Sequence, residues 1–253
     1  MIYTTILKHV FKWIYGPPAA LPADRGDVGL VLIADGVGGL DFCGTALEYL
    51  ASKATPPLDA RTVRWGHGLG RWFADLSGVE NHQKHAEETA RDVTAFRREH
   101  PDGAIFLVGK SGGTAIVTRA LELIPPGTVE AAVLLAPALS PEYDLAPALR
   151  AVRREIVVFW SPLDVFVLGI GTLVFGTVDR KHSVAAGMVG FRPDAMPNGG
   201  LDQSLRAKLT QIRWRPSMAT TGNLGGHVGP DCPAFLRRYV VPLLRVGATA
   251  RPA

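Results

Sequence analysis

Short apolar runs separated by helical patterns constrain this chain more than any other feature. VGLVLI (28–33), AIFLV (104–108), EAAVLLA (130–136) and EIVVFW (155–160) are apolar on nearly every residue, so both faces of each strand belong inside a covered sheet. Thr62 to Trp65 and Ile212 to Ser217 read as two further strands. Helical patterns lie between them: Cys43 to Lys53, Asn81 to His100 with Ala86, Ala90, Val93 and Phe96 on one face, Gly112 to Leu123, and a short one over Leu145 to Arg154. Cys232 to Val246 reads as a closing helix. Parallel neighbours need a crossover, and right-handed crossovers lay helices on both faces, so the expected architecture is α/β: a doubly wound, mainly parallel sheet in one domain.

The run AIFLV continues into a segment that fits two chemistries. In AIFLVGKSGGTAI (104–116), GKS satisfies a loosened phosphate-loop pattern, and GKSGG is also G-x-S-x-G, the sharp turn that exposes a nucleophilic serine. A phosphate cradle needs free backbone N–H groups ahead of the lysine, but Ile105, Phe106, Leu107 and Val108 are the strand itself and commit theirs to the sheet. The serine turn asks for an apolar strand, small residues beside the serine and a helix starting at once. All are present. The helix N-terminus then presents partial positive charge to an oxyanion.

Gly109-Lys110-Ser111-Gly112-Gly113, set between IFLV and TAIVTRAL, resembles the nucleophile elbow of the α/β-hydrolase superfamily, of serine esterase and lipase type. The resemblance covers roughly residues 27–246 and implies the chain order nucleophile, acid, histidine. Asp164, after the strand EIVVFW, stands where that family places its acid; Asp144 and Asp179 are the substitutes, and a helix N-cap is the plainer role for Asp164. His227, in the loop GNLGGHVG, stands where the histidine belongs. The oxyanion donors implied are the backbone N–H of Gly112 and, from the loop ADGVGG (34–39), that of Val37, with Gly36 or Gly38 as alternatives. Asp35 occupies the position where the family usually has His. Lys110 is an unusual occupant of the elbow, suited to steering an anionic substrate or to bonding a neighbouring loop.

The resemblance also implies a sheet of about six strands without a large cap domain, because the interval from Ala136 to Val157 is too short for one. Residues 165–200 are a potential lid, opening with the apolar VFVLGIGTLVFGTV. The implied reaction is hydrolysis of a small ester or acyl substrate of apolar character through Ser111, His227 and Asp164, with no cofactor and no metal. A hydrolase-like scaffold that only binds is the alternative, and nucleotide binding a remoter one. Trp65, Trp72 and Phe73 are candidates for the pocket border. His82 and His85, three apart on one helix, read as a solvated face rather than as metal ligands.

Composition narrows the partners. The formal charge of +4 is scattered along the chain rather than gathered with aromatics, which points away from nucleic acid. Cys43 and Cys232 are the only cysteines and read as free thiols. The start, MIYTTILKHVFKWIYG, has the spacing of an amphipathic helix, interrupted by Lys8 and Lys12 where an export signal would be apolar. Residues 1–22 are therefore taken as that helix and a linker, and 23–253 as the hydrolase domain. Packing of the helix on the domain is preferred to contact with a membrane surface, and a cytoplasmic chain is expected.

Overall fold

The computed structural model describes residues 28–55 and 58–248. The N-terminal helix and linker expected over residues 1–22 lie outside them. Six strands form one sheet in the order β2-β1-β3-β4-β5-β6, every neighbouring pair parallel. They are β1 Gly29–Ala34, β2 Leu58–Val63, β3 Ile105–Lys110, β4 Ala131–Leu135, β5 Ile156–Trp160 and β6 Leu209–Arg213. β1 to β5 are joined through helices α1 Phe42–Ser52, α2 Trp72–Ser77, α3 Val79–Glu99, α4 Gly113–Glu122 and α5 Ala146–Ala151.

The four central strands are buried along nearly their whole length because each faces a core on both sides. Leu30, Leu32, Ile105 and Leu107 pack with Ala86, Val93 and Ile116 of the helices on one face, while Val31, Ile33, Phe106 and Val108 pack with Leu47 of α1 and Phe235 on the other. Phe106 is fully buried, so Phe106→Ala is expected to cost about 3–5 kcal/mol.

The edge strands differ from their sequence reading. The second runs over Leu58–Val63 instead of Thr62 to Trp65, and the sixth over Leu209–Arg213 instead of Ile212 to Ser217. Both are half-exposed and mix polar with apolar residues (LDARTV, LTQIR), so the hydrophobic signal that locates inner strands is diluted at the edges. The single closing helix is also replaced. Residues 233–243 form three short helical pieces of changing pitch, and Pro242, which has no N–H to donate, falls in the last of them.

The chain leaves β1 toward β2 on one side and returns to place β3 on the other, so the winding direction reverses between β1 and β3. Outside the carboxyl ends of strands at such a point a crevice opens, because the connections diverge. Ala34 pairs in register with Gly109, which sets the loop after β1 beside the turn after β3.

Candidate active site

Ser111 occupies the tip of the β3–α4 turn with φ of 51°, a left-handed backbone angle uncommon outside glycine. Its neighbours make that turn sterically achievable. A Cβ on Gly113 would stand 2.1 Å from the Ala34 carbonyl oxygen, and one on Gly109 2.8 Å from the Thr114 Cα. No side chain fits at either position, so the strand and helix meet at backbone contact. A Cβ on Gly112 would meet the Val37 side chain at 2.7 Å, which shows how closely the loop after β1 lies against the elbow.

Three residues far apart in sequence meet here. The His227 Nε2 lies 2.9 Å from the Ser111 Oγ, and its Nδ1 lies 2.7 Å from the Asp164 Oδ2. A carboxylate only accepts, so Nδ1 carries the proton; in the neutral ring Nε2 is then the acceptor, and the serine hydroxyl donates to it. Ser111 and Asp164 are each 3% exposed, so the hydrogen bonds form in surroundings where they are scarcely weakened by water. Burial pushes the His227 pKa below its ordinary value; Asp164 opposes that shift and the Lys110 charge adds to it.

Asp164 also fills the plainer role. Its Oδ1 accepts from the Leu168 N–H at 3.4 Å, capping the π-helical turn Val165–Gly171, while its Oδ2 serves His227. The substitutes are engaged elsewhere: Asp144 accepts from the Ala146 N–H, and Asp179 from both the backbone N–H and hydroxyl of Ser140.

The loop after β1 is held by two buried carboxylates. Asp35 accepts from the Gly36 and Gly44 N–H groups at 2.7 and 2.8 Å, and Asp75 accepts from the Gly38 N–H at 2.7 Å and from His67. Those bonds occupy the amides on either side of Val37. Among the described residues, no protein acceptor meets the Val37 or the Gly112 N–H. Asp75 lay beyond sequence reasoning, because the Gly38 amide it meets comes from a distant part of the chain.

Lys110 bonds a neighbouring loop. Its ammonium, on a residue only 6% exposed, pairs at 3.3 Å with Asp231, four residues after His227. Burial works against its charge, but Asp231 and Asp35 outweigh that and hold its pKa above the usual range. Burial in turn raises the Asp231 pKa to about 6, against the lowering effect of Lys110. The signal that would have found Asp231 is the lysine itself: a cation forced inside by its place in the elbow needs a counter-charge. Ile105 to Val108, the residues a phosphate loop would need, form strand β3 as expected, hydrogen-bonded to β1 and β4.

His82 departs from its reading as part of a solvated face. It is fully buried, edge-on to Trp65 with ring centroids 5.4 Å apart, and its Nε2 meets the Asp75 carbonyl. Cys43 and Cys232 are free thiols. Among the described residues no cluster of three His, Cys, Asp or Glu side chains is placed to hold a metal. Nor is any described helix long and apolar enough to cross a membrane.

A cleft of about 300 Å³ opens over Ser111 and His227, walled by Val37, Leu40, Phe42, Trp72, Val167 and Val228, with Lys110 and Asp231 at its floor. Of the aromatics expected at the border, Trp72 lines the cleft. Trp65 is buried beside Gly112 and donates its indole N–H to the Asp35 carbonyl.

The family model described as serine aminopeptidase, S33, matches residues 64–187, a span that holds Ser111 and Asp164 and ends before His227. Among solved structures, the chain is similar to a putative hydrolase of the α/β superfamily from Xanthomonas campestris at 17% identity, covering 82% of this chain and 95% of that one with a TM-score of 0.42. A Trichoderma reesei cutinase in complex with a phosphonate inhibitor matches at 14% identity over 96% and 91% of the two chains, TM-score 0.40. A Pyrobaculum calidifontis esterase matches at 12% over 96% and 91%, TM-score 0.46. No curated protein matches the sequence. With a strained serine turn at the switch point of a six-stranded parallel sheet, and with the family match across that turn, the chain has the α/β-hydrolase fold.

Proposed function

We propose that the protein is a serine hydrolase that cleaves a carboxylic ester through an acyl-enzyme, with Ser111 as nucleophile, His227 as general base and Asp164 as the acid that orients it. The observation that carries this reading is the continuous hydrogen-bonded line from the Ser111 hydroxyl through His227 to Asp164. As Oγ attacks the ester carbonyl, its proton passes to Nε2, and Asp164 stabilises the imidazolium that forms. The alcohol leaves with that proton. Water then attacks the acyl-enzyme by the same route and releases the carboxylic acid.

The negative oxygen of each tetrahedral intermediate is assigned to the Val37 and Gly112 N–H groups, which are available because they have no protein acceptor among the described residues. Such donors cost no reorganisation during reaction and are worth roughly 10²–10³ in rate each. The apolar wall of the cleft supports an acyl group of hydrocarbon character. Residues 165–200 of the hydrolase domain, through Val167, supply part of that wall.

A fluorophosphonate probe tests the reading directly. Wild type should be labelled and Ser111→Ala should not, and p-nitrophenyl esters of increasing chain length should turn over with a preference for longer acyl groups. A folded wild type that takes no label and hydrolyses no ester would instead be a scaffold that only binds.

A further inference from the structure

The segment that follows Asp164 is turned the wrong way round for a helix on a water-soluble surface. From Val165 to Val178 it carries no charged residue, and its inner positions Leu168, Gly169 and Thr172 are buried, yet its outer positions are also apolar. Phe166 is 83% exposed, Val174 60% and Ile170 53%. Single exposed hydrophobic residues are ordinary on any protein, but a contiguous set at one mouth is not.

This set is contiguous. Phe175 at the end of the segment meets Trp72 and Phe73 of α2, with ring centroids 5.3 and 6.2 Å away, and both of those rings are themselves about half exposed. Trp72 and Val167 border the cleft over Ser111 together with Leu40 and Val228, so the apolar face surrounds the way in.

Within the two segments that carry the aromatic contact, the exposed charges have one sign. Between residues 66–78 and 163–182 the acids are Asp75, Asp164 and Asp179: the first two are buried, and the third is bonded to Ser140. Arg71, Arg180 and Lys181 are exposed, and the turn bearing the last two is tied to the apolar segment by the Thr177 N–H to Lys181 carbonyl bond and by the His182 ring on the Leu173 carbonyl. An apolar face edged by cations, with its acids turned inward, complements a surface that is hydrocarbon beneath and anionic at its headgroups.

We propose that this rim docks on an anionic lipid surface, from which the cleft draws a lipid ester. The substrate half rests on the ester-hydrolase reading above; the docking half does not. A second copy of the chain is disfavoured as occupant, because the cationic turns would face like charge and the cleft would be sealed from substrate.

The test is co-sedimentation with phosphatidylcholine vesicles with and without phosphatidylglycerol. Wild type and Ser111→Ala should both pellet with the anionic vesicles, and less so as salt is raised. Phe166→Ser with Val174→Ser should weaken that binding roughly tenfold or more, and Arg180→Glu with Lys181→Glu about tenfold. All four positions lie on the exposed rim and outside the cleft lining, so turnover of soluble p-nitrophenyl acetate should be unchanged. Wild type left in the supernatant would overturn the proposal. So would equal binding by the Phe166/Val174 variant, which would move the contact elsewhere, or a dimer abolished by the same substitutions, which would give the face to a second copy. Loss of esterase activity with vesicle binding intact would strike the catalytic reading and leave docking standing.

Discussion

Two pairs of an acid with a basic side chain flank the same serine: Asp164 with His227, and Asp231 with Lys110. The bases of both pairs border one cleft, and His227 and Asp231 share one loop, yet the pairs are suited to different work. The His227 pKa is pushed down, so the ring is neutral near physiological pH and has a lone pair to receive the Ser111 proton. The Lys110 pKa is pushed up, so the ammonium stays charged and has no lone pair to offer. What separates a proton acceptor from a strut is therefore the balance of burial against neighbouring charge. The second pair ties the strand bearing the serine to the loop bearing the histidine.

The largest effects that break this comparison should come from the first pair and the serine it meets. Ser111→Ala or His227→Ala is expected to lower kcat for ester hydrolysis by roughly 10⁶-fold with folding retained, measured by steady-state kinetics beside circular dichroism. A loss of less than tenfold in either would remove the pair from the chemistry. Asp164→Asn keeps the shape but not the charge that holds Nδ1–H, so a smaller drop, about 10⁴-fold, is expected in the same assay.

The second pair should answer in stability. Lys110→Met leaves Asp231 and Asp35 buried without their cation and is expected to cost about 3–5 kcal/mol in urea unfolding. Adding Asp231→Leu should recover much of that. An unchanged midpoint in Lys110→Met would show that the pair is not a strut.

The smallest effect joins the two pairs. Since the proposed base His227 must be neutral to act, kcat/KM should fall as pH drops through its pKa, which burial holds below the ordinary histidine value. Lys110 helps to hold the pKa down, so Lys110→Met should move the acid limb to higher pH in any variant that still folds. A limb that moves the other way, in a profile of kcat/KM against pH, would break the link.

The elbow was legible because its requirements are local. A buried strand, glycines at backbone-contact positions and an immediate helix all fall within a dozen residues. Asp164 and His227 were legible through chain order rather than through anything in their own segments. The edge strands were misplaced because half-exposed strands mix polar with apolar residues, and His82 was misread because a polar side chain extends, by one turn, the buried stripe that Ala86, Ala90 and Val93 mark. Asp75 and Asp231 had no local signal; each is an acid whose partner arrives from elsewhere in the chain.

From its sequence alone, the chain is committed to a parallel sheet covered on both faces and to a strained serine at the end of its third strand, since hydrophobic period and glycine sterics act over a few residues. Only the tertiary structure decides which amides around Val37 remain unbonded, which acid neutralises Lys110 and which way the segment after Asp164 faces. Those outcomes depend on distances between atoms brought together by folding, and burial and electrostatic energies follow distance rather than position along the chain.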